Sequence, residues 1–275
     1  MAFANFIPQV WNAQMLLDFR AAATAAAQTN REYEGDARVG NQVKVTTAVD
    51  IAIKDYKAAG RETTPDPIDN TQILLPIDQE KSFDFQVDDI DRRQAAGSLD
   101  VYTQSAGISM ALDADSFIFA TAAAGADSGN KLTGTAPTTG DEAFDVVRDL
   151  RKALDKAKVP QASRSLFINA EFASLLVGAD SKLTSFQVSG TTDGLRNATI
   201  GGLLNFQVIQ SENLPTVDVP FAIAWYNPSV AFVSQIVETE AMRSQNSFAD
   251  RLRGLHVYGA EVIRPVGVAT WSVDA

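Results

Sequence analysis

The sequence predicts an α+β fold, in which helices and strands occupy separate stretches of the chain. Two stretches between residues 43 and 87 alternate apolar and polar side chains with a period of two, which is typical of half-buried strands. Two helix patterns follow between residues 98 and 158, and the chain after residue 221 again has mostly the character of strands. Because helices and strands do not alternate regularly, a βαβ series is not predicted.

Composition limits the function before any motif is considered. The chain has 275 residues, a formal net charge of −11 and no cysteine. The absence of cysteine excludes disulfides, thiolate metal sites and cysteine nucleophiles. The negative charge argues against binding to nucleic-acid phosphates, because such binding depends on clustered Lys and Arg side chains. DNA near this protein would be enclosed and not gripped.

No targeting or membrane segment is predicted. The N-terminus has no basic start, and Asp18 and Arg20 interrupt the residues that follow, which argues against a signal peptide. No apolar run approaches the ~20 residues that span a bilayer. We therefore expect no membrane association.

The first elements are a helical arm and a long ribbon. Residues 9–28 have a helical composition but too few large apolar side chains for a core of their own. In the ribbon, alternation runs from Val43 to Ile53 and from Ile73 to Val87, and the tip between residues 57 and 70 carries a glycine and two prolines. A two-stranded ribbon is marginal in water. Its apolar sides therefore need shelter from their own domain or from a neighbouring copy of the chain.

Helices dominate the middle of the chain. Ser98 is a candidate N-cap for a helix that reaches about Ala124 and would be roughly 40 Å long. Its apolar residues spread over more than one face, which indicates neighbours on two sides. An amphipathic helix is predicted from Asp141 to about Lys158.

Strands dominate the rest of the chain. A buried strand at 164–168 and a short helix at 171–177 follow the amphipathic helix, and a further strand contains residues 204–208. The final strands are predicted at 221–226, 230–237, 255–264 and 266–273.

The sequence offers few groups for catalysis. The single histidine, His256, lies in a strand pattern, where a structural role is favoured over a functional one. The chain has no Gly-x-Ser-x-Gly elbow, no phosphate-binding Gly-x-x-x-x-Gly-Lys-Ser/Thr loop and no Gly-x-Gly-x-x-Gly motif. We therefore predict neither an enzyme nor a bound cofactor.

The richest carboxylate cluster contains Asp84, Asp88, Asp89 and Asp91, and Arg92 and Arg93 follow it. Its spacing lacks the regular ligands and the turn glycine of a calcium loop. A solvated or subunit-bridging charge cluster is therefore favoured over a metal site. Trp11, Trp225 and Trp271 are interpreted as core or interface anchors and not as ligand platforms.

Several ordered motifs link the chain to a known family. They are Leu-Arg-Lys-Ala at 150–153 before Val-Pro at 159–160, Arg-Ser-Leu-Phe-Ile-Asn at 164–169, Gly-Gly-Leu-Leu-Asn-Phe-Gln-Val at 201–208, Ser-Glu-Asn-Leu-Pro at 211–215, and Tyr-Gly-Ala-Glu-Val-Ile-Arg-Pro-Val-Gly-Val at 258–268. In this order, over nearly the whole chain, the sequence resembles the major capsid proteins of tailed bacteriophages, which have the Hong Kong 97-like fold.

The resemblance implies a division of the chain into the parts of that fold. These parts are an N-terminal arm (1–38), an extended β-hairpin loop (39–92), a peripheral domain (93–136) with a long spine helix (98–124), an axial domain (137–232), and returning peripheral and axial strands (233–275).

The resemblance also implies a function: self-assembly into the pentamers and hexamers of an icosahedral shell around double-stranded DNA. The axial domain would line the centre of each ring, and the extended loop would lie across the adjacent subunit. A cargo-enclosing bacterial nanocompartment of the same fold and a small α+β hydrolase are the alternatives. The residues that we predict at the assembly interface are Val43, Val45, Val49, Ile51, Ile73, Leu75, Phe83, Phe85, Asp88, Asp89, Arg92 and Arg93.

The resemblance further suggests partners and a location. Some members carry a cleavable N-terminal scaffold segment, whereas the arm here begins directly at Met1, so we expect a separate scaffolding protein, a portal and possible decoration proteins. We expect the protein in the virion capsid, after assembly in the host cytoplasm. Some members form Lys–Asn isopeptide links. Lys44, Lys54 and Lys57 lie in the loop, but no pattern identifies a partner asparagine, and cross-linking is not expected.

Overall fold

The computed structural model describes residues 24–38, 40–47, 53–58, 60–63, 65, 71–89, 100–178, 201–216, 218–244 and 246–274. Its helices are α1 (Asp100–Gly125), α2 (Gly140–Lys156) and α3 (Ala170–Leu176). Its strands are β1 (Gln42–Thr47), β2 (Thr71–Pro76), β3 (Gln79–Asp88), β4 (Lys131–Gly134), β5 (Arg164–Ile168), β6 (Gly202–Leu203), β7 (Phe206–Gln210), β8 (Ala222–Tyr226), β9 (Val230–Arg243), β10 (Ala249–Val262) and β11 (Val268–Val273). The predicted α+β class is confirmed.

The strands form three sheets. β1 and β2 make an antiparallel pair, and β3, β10 and β9 make a three-stranded antiparallel sheet in that order. The largest sheet has the order β4-β11-β8-β5-β7-β6, with parallel pairing only between β4 and β11 and between β5 and β7 among its described strands.

Helices cover both faces of the six-stranded sheet. On one face, Leu166 and Ile168 of β5 pack with residues of α2 and α3. On the other face, Phe167 packs with Phe119 of α1, with their ring centroids 5.0 Å apart. Side chains of a strand alternate between the two faces of its sheet. This arrangement explains why β5 is buried along its whole length, as predicted.

The amphipathic helix α2 begins with a capping box. The Thr139 hydroxyl accepts a hydrogen bond from the Glu142 backbone N–H, and the Glu142 carboxylate accepts one from the Thr139 backbone N–H. Val147, Leu150 and Leu154 are fully buried against the sheet. The predicted helix is therefore confirmed.

The long helix α1 contacts both large sheets, as its two-sided apolar pattern predicts. Phe119 lies on the six-stranded sheet, whereas Asp113 accepts a hydrogen bond of 2.6 Å from the Tyr258 hydroxyl of β10. The helix is described from Asp100 onward, and the predicted N-cap Ser98 lies outside the described residues. α1 therefore joins the six-stranded sheet to the three-stranded sheet.

The last two long strands extend beyond their predicted limits. β9 continues to Arg243, and β10 begins at Ala249, although the sequence analysis assigned no strand between residues 238 and 254. Charged side chains occupy alternate positions on the exposed face of these strands. The segments therefore lack the apolar runs from which the other strands were predicted. Glu240 pairs across the strands with Arg253, with Oε2 and Nε 2.8 Å apart.

β3 does not continue the ribbon, in contrast to the prediction. It pairs along its whole length with β10, and residues 77 and 78 separate it from β2. Phe83 lies opposite Gly254, where a Cβ atom would come within 2.0 Å of the Phe83 ring. The glycine thus leaves room for the aromatic ring in the sheet. In the described part of the chain, the hairpin consists of β1 and β2 alone.

Candidate assembly surfaces

The base of the hairpin packs on its own subunit. Val43 and Val45 of β1 and Leu75 of β2 are buried, and they share a core with Val233 and Val257 of the three-stranded sheet. From the sequence, this apolar face could be buried either against its own domain or against a neighbouring copy of the chain. At the base of the hairpin, its own domain buries it.

Gly259 fixes the place where the hairpin meets the sheet. A Cβ atom at this position would lie 2.0 Å from the carbonyl oxygen of Pro76 and 3.0 Å from the Cα atom of Ile77. Both neighbours are backbone atoms, which cannot rotate away as a side chain can. The end of β2 can therefore lie this close to β10 only because residue 259 has no side chain.

The hairpin beyond its base is exposed. From here on, the tip means the described residues between 53 and 65, and all of them are solvent-exposed in the single subunit. Ile53 is 99% exposed and Tyr56 is 55% exposed, although both are large and mostly apolar. Exposed large apolar side chains are candidates for contact with another molecule. The tip offers two of them, among charged neighbours.

Apart from Asp88 and Asp89, the predicted interface residues divide into three groups. Val43, Val45 and Leu75 are buried, and Ile73 packs beside them. Phe83 and Phe85 are half-buried in β3, with their rings stacked 6.0 Å apart. Val49, Ile51, Arg92 and Arg93 lie outside the described residues, and contact of any of these residues with a second subunit stays a prediction.

Carboxylates of the predicted acidic cluster pair within the subunit. Asp84 accepts a hydrogen bond of 2.8 Å from Nε of Arg251, and this bond lowers the pKa of Asp84. Arg243 donates to Asp89 and to Asp250, each at 2.8 Å. Asp88 is half-buried, and Asp91 lies outside the described residues. Within the described part of the chain, no group of three or more potential ligands could hold a metal ion.

The single histidine lies in the core. His256 is 1% exposed, its Nε2 atom lies 3.0 Å from the Ser234 hydroxyl, and its ring lies 4.6 Å from that of Tyr258. Burial lowers the pKa of His256 to about 4, although the charge of Asp113 acts in the opposite direction. This environment fits the structural role that the sequence favoured.

His256 is expected to make stability depend on pH. Between its unfolded pKa of 6.5 and its folded pKa of about 4, the unfolded chain binds a proton that the folded chain does not. Stability should therefore fall as pH falls through this window, by about 1.4 kcal/mol per pH unit. Urea unfolding of unassembled subunits between pH 7 and pH 5 measures the slope. His256→Gln should reduce this slope, and an unchanged slope would contradict the assignment.

No helix in the described ranges has the length and apolar character needed to cross a membrane.

Comparisons with known proteins give the family. The family model for phage capsid protein matches residues 73–271. A structure from Mycobacterium phage Che8 is 46% identical, with a TM-score of 0.82 over 91% of both chains. The bacteriophage PhiM1 mature capsid is 13% identical, with a TM-score of 0.71 over 91% of this chain and 87% of that chain. The capsid of the Cyanophage P-SCSP1u is 12% identical, with a TM-score of 0.68 over 86% and 84%.

The two distant structures show the fold alone, whereas the family model and the phage Che8 structure show the family. No curated protein sequence matches the chain. These findings do not favour the nanocompartment or the hydrolase. The chain belongs to the phage capsid protein family, and it is a major capsid protein with the Hong Kong 97-like fold.

Proposed function

We propose that this subunit forms pentamers and hexamers that close into an icosahedral shell around the double-stranded DNA of a tailed bacteriophage. The observation that carries the proposal is the exposed tip of the hairpin, where Ile53 is 99% and Tyr56 is 55% exposed in the single subunit. A folded subunit with a base fixed on its own core, and with two large apolar side chains exposed at its tip, is suited to bind an adjacent copy. The tip would lie on that copy.

Ring formation follows from repeated contacts between unlike surfaces. Head-to-tail contacts close into a ring when the rotation between neighbours fits a whole number of subunits. An extended hairpin adds interface area that a compact subunit could not provide. Each contact can be weak, because a closed shell repeats it many times.

The charge of the chain supports the enclosure of DNA without tight binding. A net charge of −11 repels phosphates on average, which limits adhesion of a packed genome to the inner wall. The proposal therefore includes DNA as the content of the shell and not as a sequence-specific ligand. It assigns the protein no catalytic activity.

The proposal includes further partners and a place of assembly. A separate scaffolding protein would direct closure, a portal would occupy one vertex, and decoration proteins could bind the outside. Assembly would take place in the cytoplasm of the bacterial host. Uniform shells from the coat expressed entirely alone would contradict the need for a scaffolding protein.

Ile53→Asp is expected to leave a folded subunit that forms few closed shells. The side chain is fully exposed in the subunit, so folding should not change, whereas each interface would lose about 1.5–3 kcal/mol of apolar burial. This loss weakens each contact by about tenfold or more. Negative-stain electron microscopy and size-exclusion chromatography of particles made with the other phage proteins measure it.

Thr63→Asp is the matched control, because it adds the same charge to an exposed polar position of the same tip. It should form shells at nearly the normal yield. Shells of normal number and size from Ile53→Asp would refute the role of the tip.

A further inference from the structure

The six-stranded part of the subunit carries opposite charges at its two ends. The strand register places Ile168, Ala222, Val273 and Gly134 at one end, and Arg164, Trp225, Val268 and Lys131 at the other. Exposed acids lie in the segments that adjoin the first end, which we name the acidic end: Asp141, Glu142, Glu171, Glu212, Asp218 and Asp274. The stretches 135–142, 169–175, 211–221 and 273–274 contain no lysine or arginine.

Basic side chains gather toward the opposite end, which we name the basic end. Helix α2 starts near the acidic end and reaches the basic end at Lys156, from which a short connection leads to β5. Lys152, Lys156 and Lys158 are exposed, and so are Lys131 and Arg264. The charge separation therefore runs along the strand direction of the sheet.

The lysines of α2 differ from its arginines in their partners. Arg148 pairs with Asp145 at 2.6 Å, and Arg151 lies 3.4 Å from Asp155. Lys152 and Lys156 form no ion pair or hydrogen bond with any residue in the described ranges. Because the two lysines are four residues apart on a helix, their ammonium groups lie on the same face.

These two lysines line an open groove between α2 and β4. The groove has a volume of about 530 Å³, and Leu132 and Trp271 contribute apolar surface to it. The same two lysines also line a depression of about 490 Å³ on the other side of α2, beside Leu204. An incoming segment could therefore meet apolar surface and two free positive charges together.

We propose that the acidic end of a second copy of this chain docks on the groove and the two lysines of α2. The subunits would then join head to tail, with an acidic end against a basic end at each contact. This inference rests on the proposed assembly into rings, and it names the surfaces that join. Two unlike and complementary surfaces on one subunit are what a closed ring requires.

Charge complementarity favours a second copy over DNA as the occupant. Arg148 and Arg151 also line the depression, but both pair with carboxylates of α2. The two remaining lysines form a much smaller positive field than phosphate binding uses. The acidic end, by contrast, carries several exposed carboxylates and no cation in its described segments. Paired charges at an interface steer subunits into the correct orientation.

Charge reversal at the groove tests the inference. Lys152→Glu with Lys156→Glu should reduce the yield of rings and shells at least about tenfold. Two positive side chains become negative at each contact, so that like charges then face each other. Lys152→Arg with Lys156→Arg is the matched control and should assemble normally. Circular dichroism should show the same fold for both variants, since both side chains are exposed.

A charge swap identifies the occupant. Glu171→Lys with Asp274→Lys should also impair assembly, and combining it with the two lysine-to-glutamate changes should restore rings. Shells from the unmodified chain report on the proposed function separately. If these form while the lysine-to-glutamate variant also assembles normally, or while the combined variant stays unassembled, the docking inference is wrong. Normal rings that lose only DNA or another phage protein would also overturn it.

Discussion

Gly259→Ala should loosen the hairpin from its subunit and prevent the formation of regular shells. The new Cβ atom would lie 2.0 Å from the Pro76 carbonyl oxygen and 3.0 Å from the Ile77 Cα atom. Because both are backbone atoms, either β2 or β10 must shift. Overpacking of this kind costs typically about 1–3 kcal/mol. The shift would also change the direction in which the hairpin leaves the body.

The experiment compares chemical unfolding of unassembled subunits with particle yield by electron microscopy. Gly201→Ala is the matched control, because a Cβ atom there meets no atom within 4 Å. We expect the Gly259 variant to lose both stability and shells, and the Gly201 variant to lose neither. Normal shells from Gly259→Ala would show that the contact between β2 and β10 does not direct assembly.

Trp225→Ala is expected to cause the largest loss of subunit stability. Trp225 is fully buried, with its ring 4.3 Å from Phe167 and 5.7 Å from Phe119 of α1. Its Nε1 atom donates a hydrogen bond of 2.9 Å to the carbonyl oxygen of Gln28. Removal of such an aromatic side chain costs about 3–5 kcal/mol. The substitution would separate the sheet, α1 and the N-terminal segment that meet at this ring.

Equilibrium unfolding in urea, followed by circular dichroism on unassembled subunits, measures the loss. Trp225→Phe keeps most of the apolar contact but removes the hydrogen bond to Gln28, so its cost should be smaller, about 1–2 kcal/mol. A loss below 1 kcal/mol for Trp225→Ala would contradict the central position of this ring.

Elements with a strong local pattern were predictable from the sequence. The helix α2 has one apolar stripe and a stop at Val159 and Pro160, and β5 contains a short apolar run at residues 166–168. In both cases, the residues that form the pattern are also the residues that are buried. Burial of one face then requires the element that the period indicates.

Elements that depend on distant pairing were not predictable in this way. β3 alternates just as β2 does, so periodicity could not show that β2 pairs with β1 whereas β3 pairs with β10. Gly254, which leaves room for the Phe83 ring in this pairing, lies 171 residues away, so no local pattern indicates that the two strands meet. The predicted ranges of β9 and β10 were too short, because the exposed faces of these strands carry charges.

The candidate surfaces show the same limit. The apolar alternation identified Val43, Val45 and Leu75 correctly as residues that need shelter, but it could not indicate whose surface shelters them. Ile53 belongs to the same alternation and is exposed. The sequence could not indicate Lys152 and Lys156 as candidate interface residues, because it does not show which lysines lack an ion-pair partner in the folded subunit.

The burial of the hairpin base against β9 and β10 determines where this subunit can bend. The hairpin base and the three-stranded sheet share one packed core, so we expect them to move together as one rigid unit. In the proposed shell, differences in curvature between pentamers and hexamers would then be taken up between this rigid unit and the six-stranded sheet. The tilt of the three-stranded sheet would therefore set the direction in which each hairpin points toward the adjacent subunit.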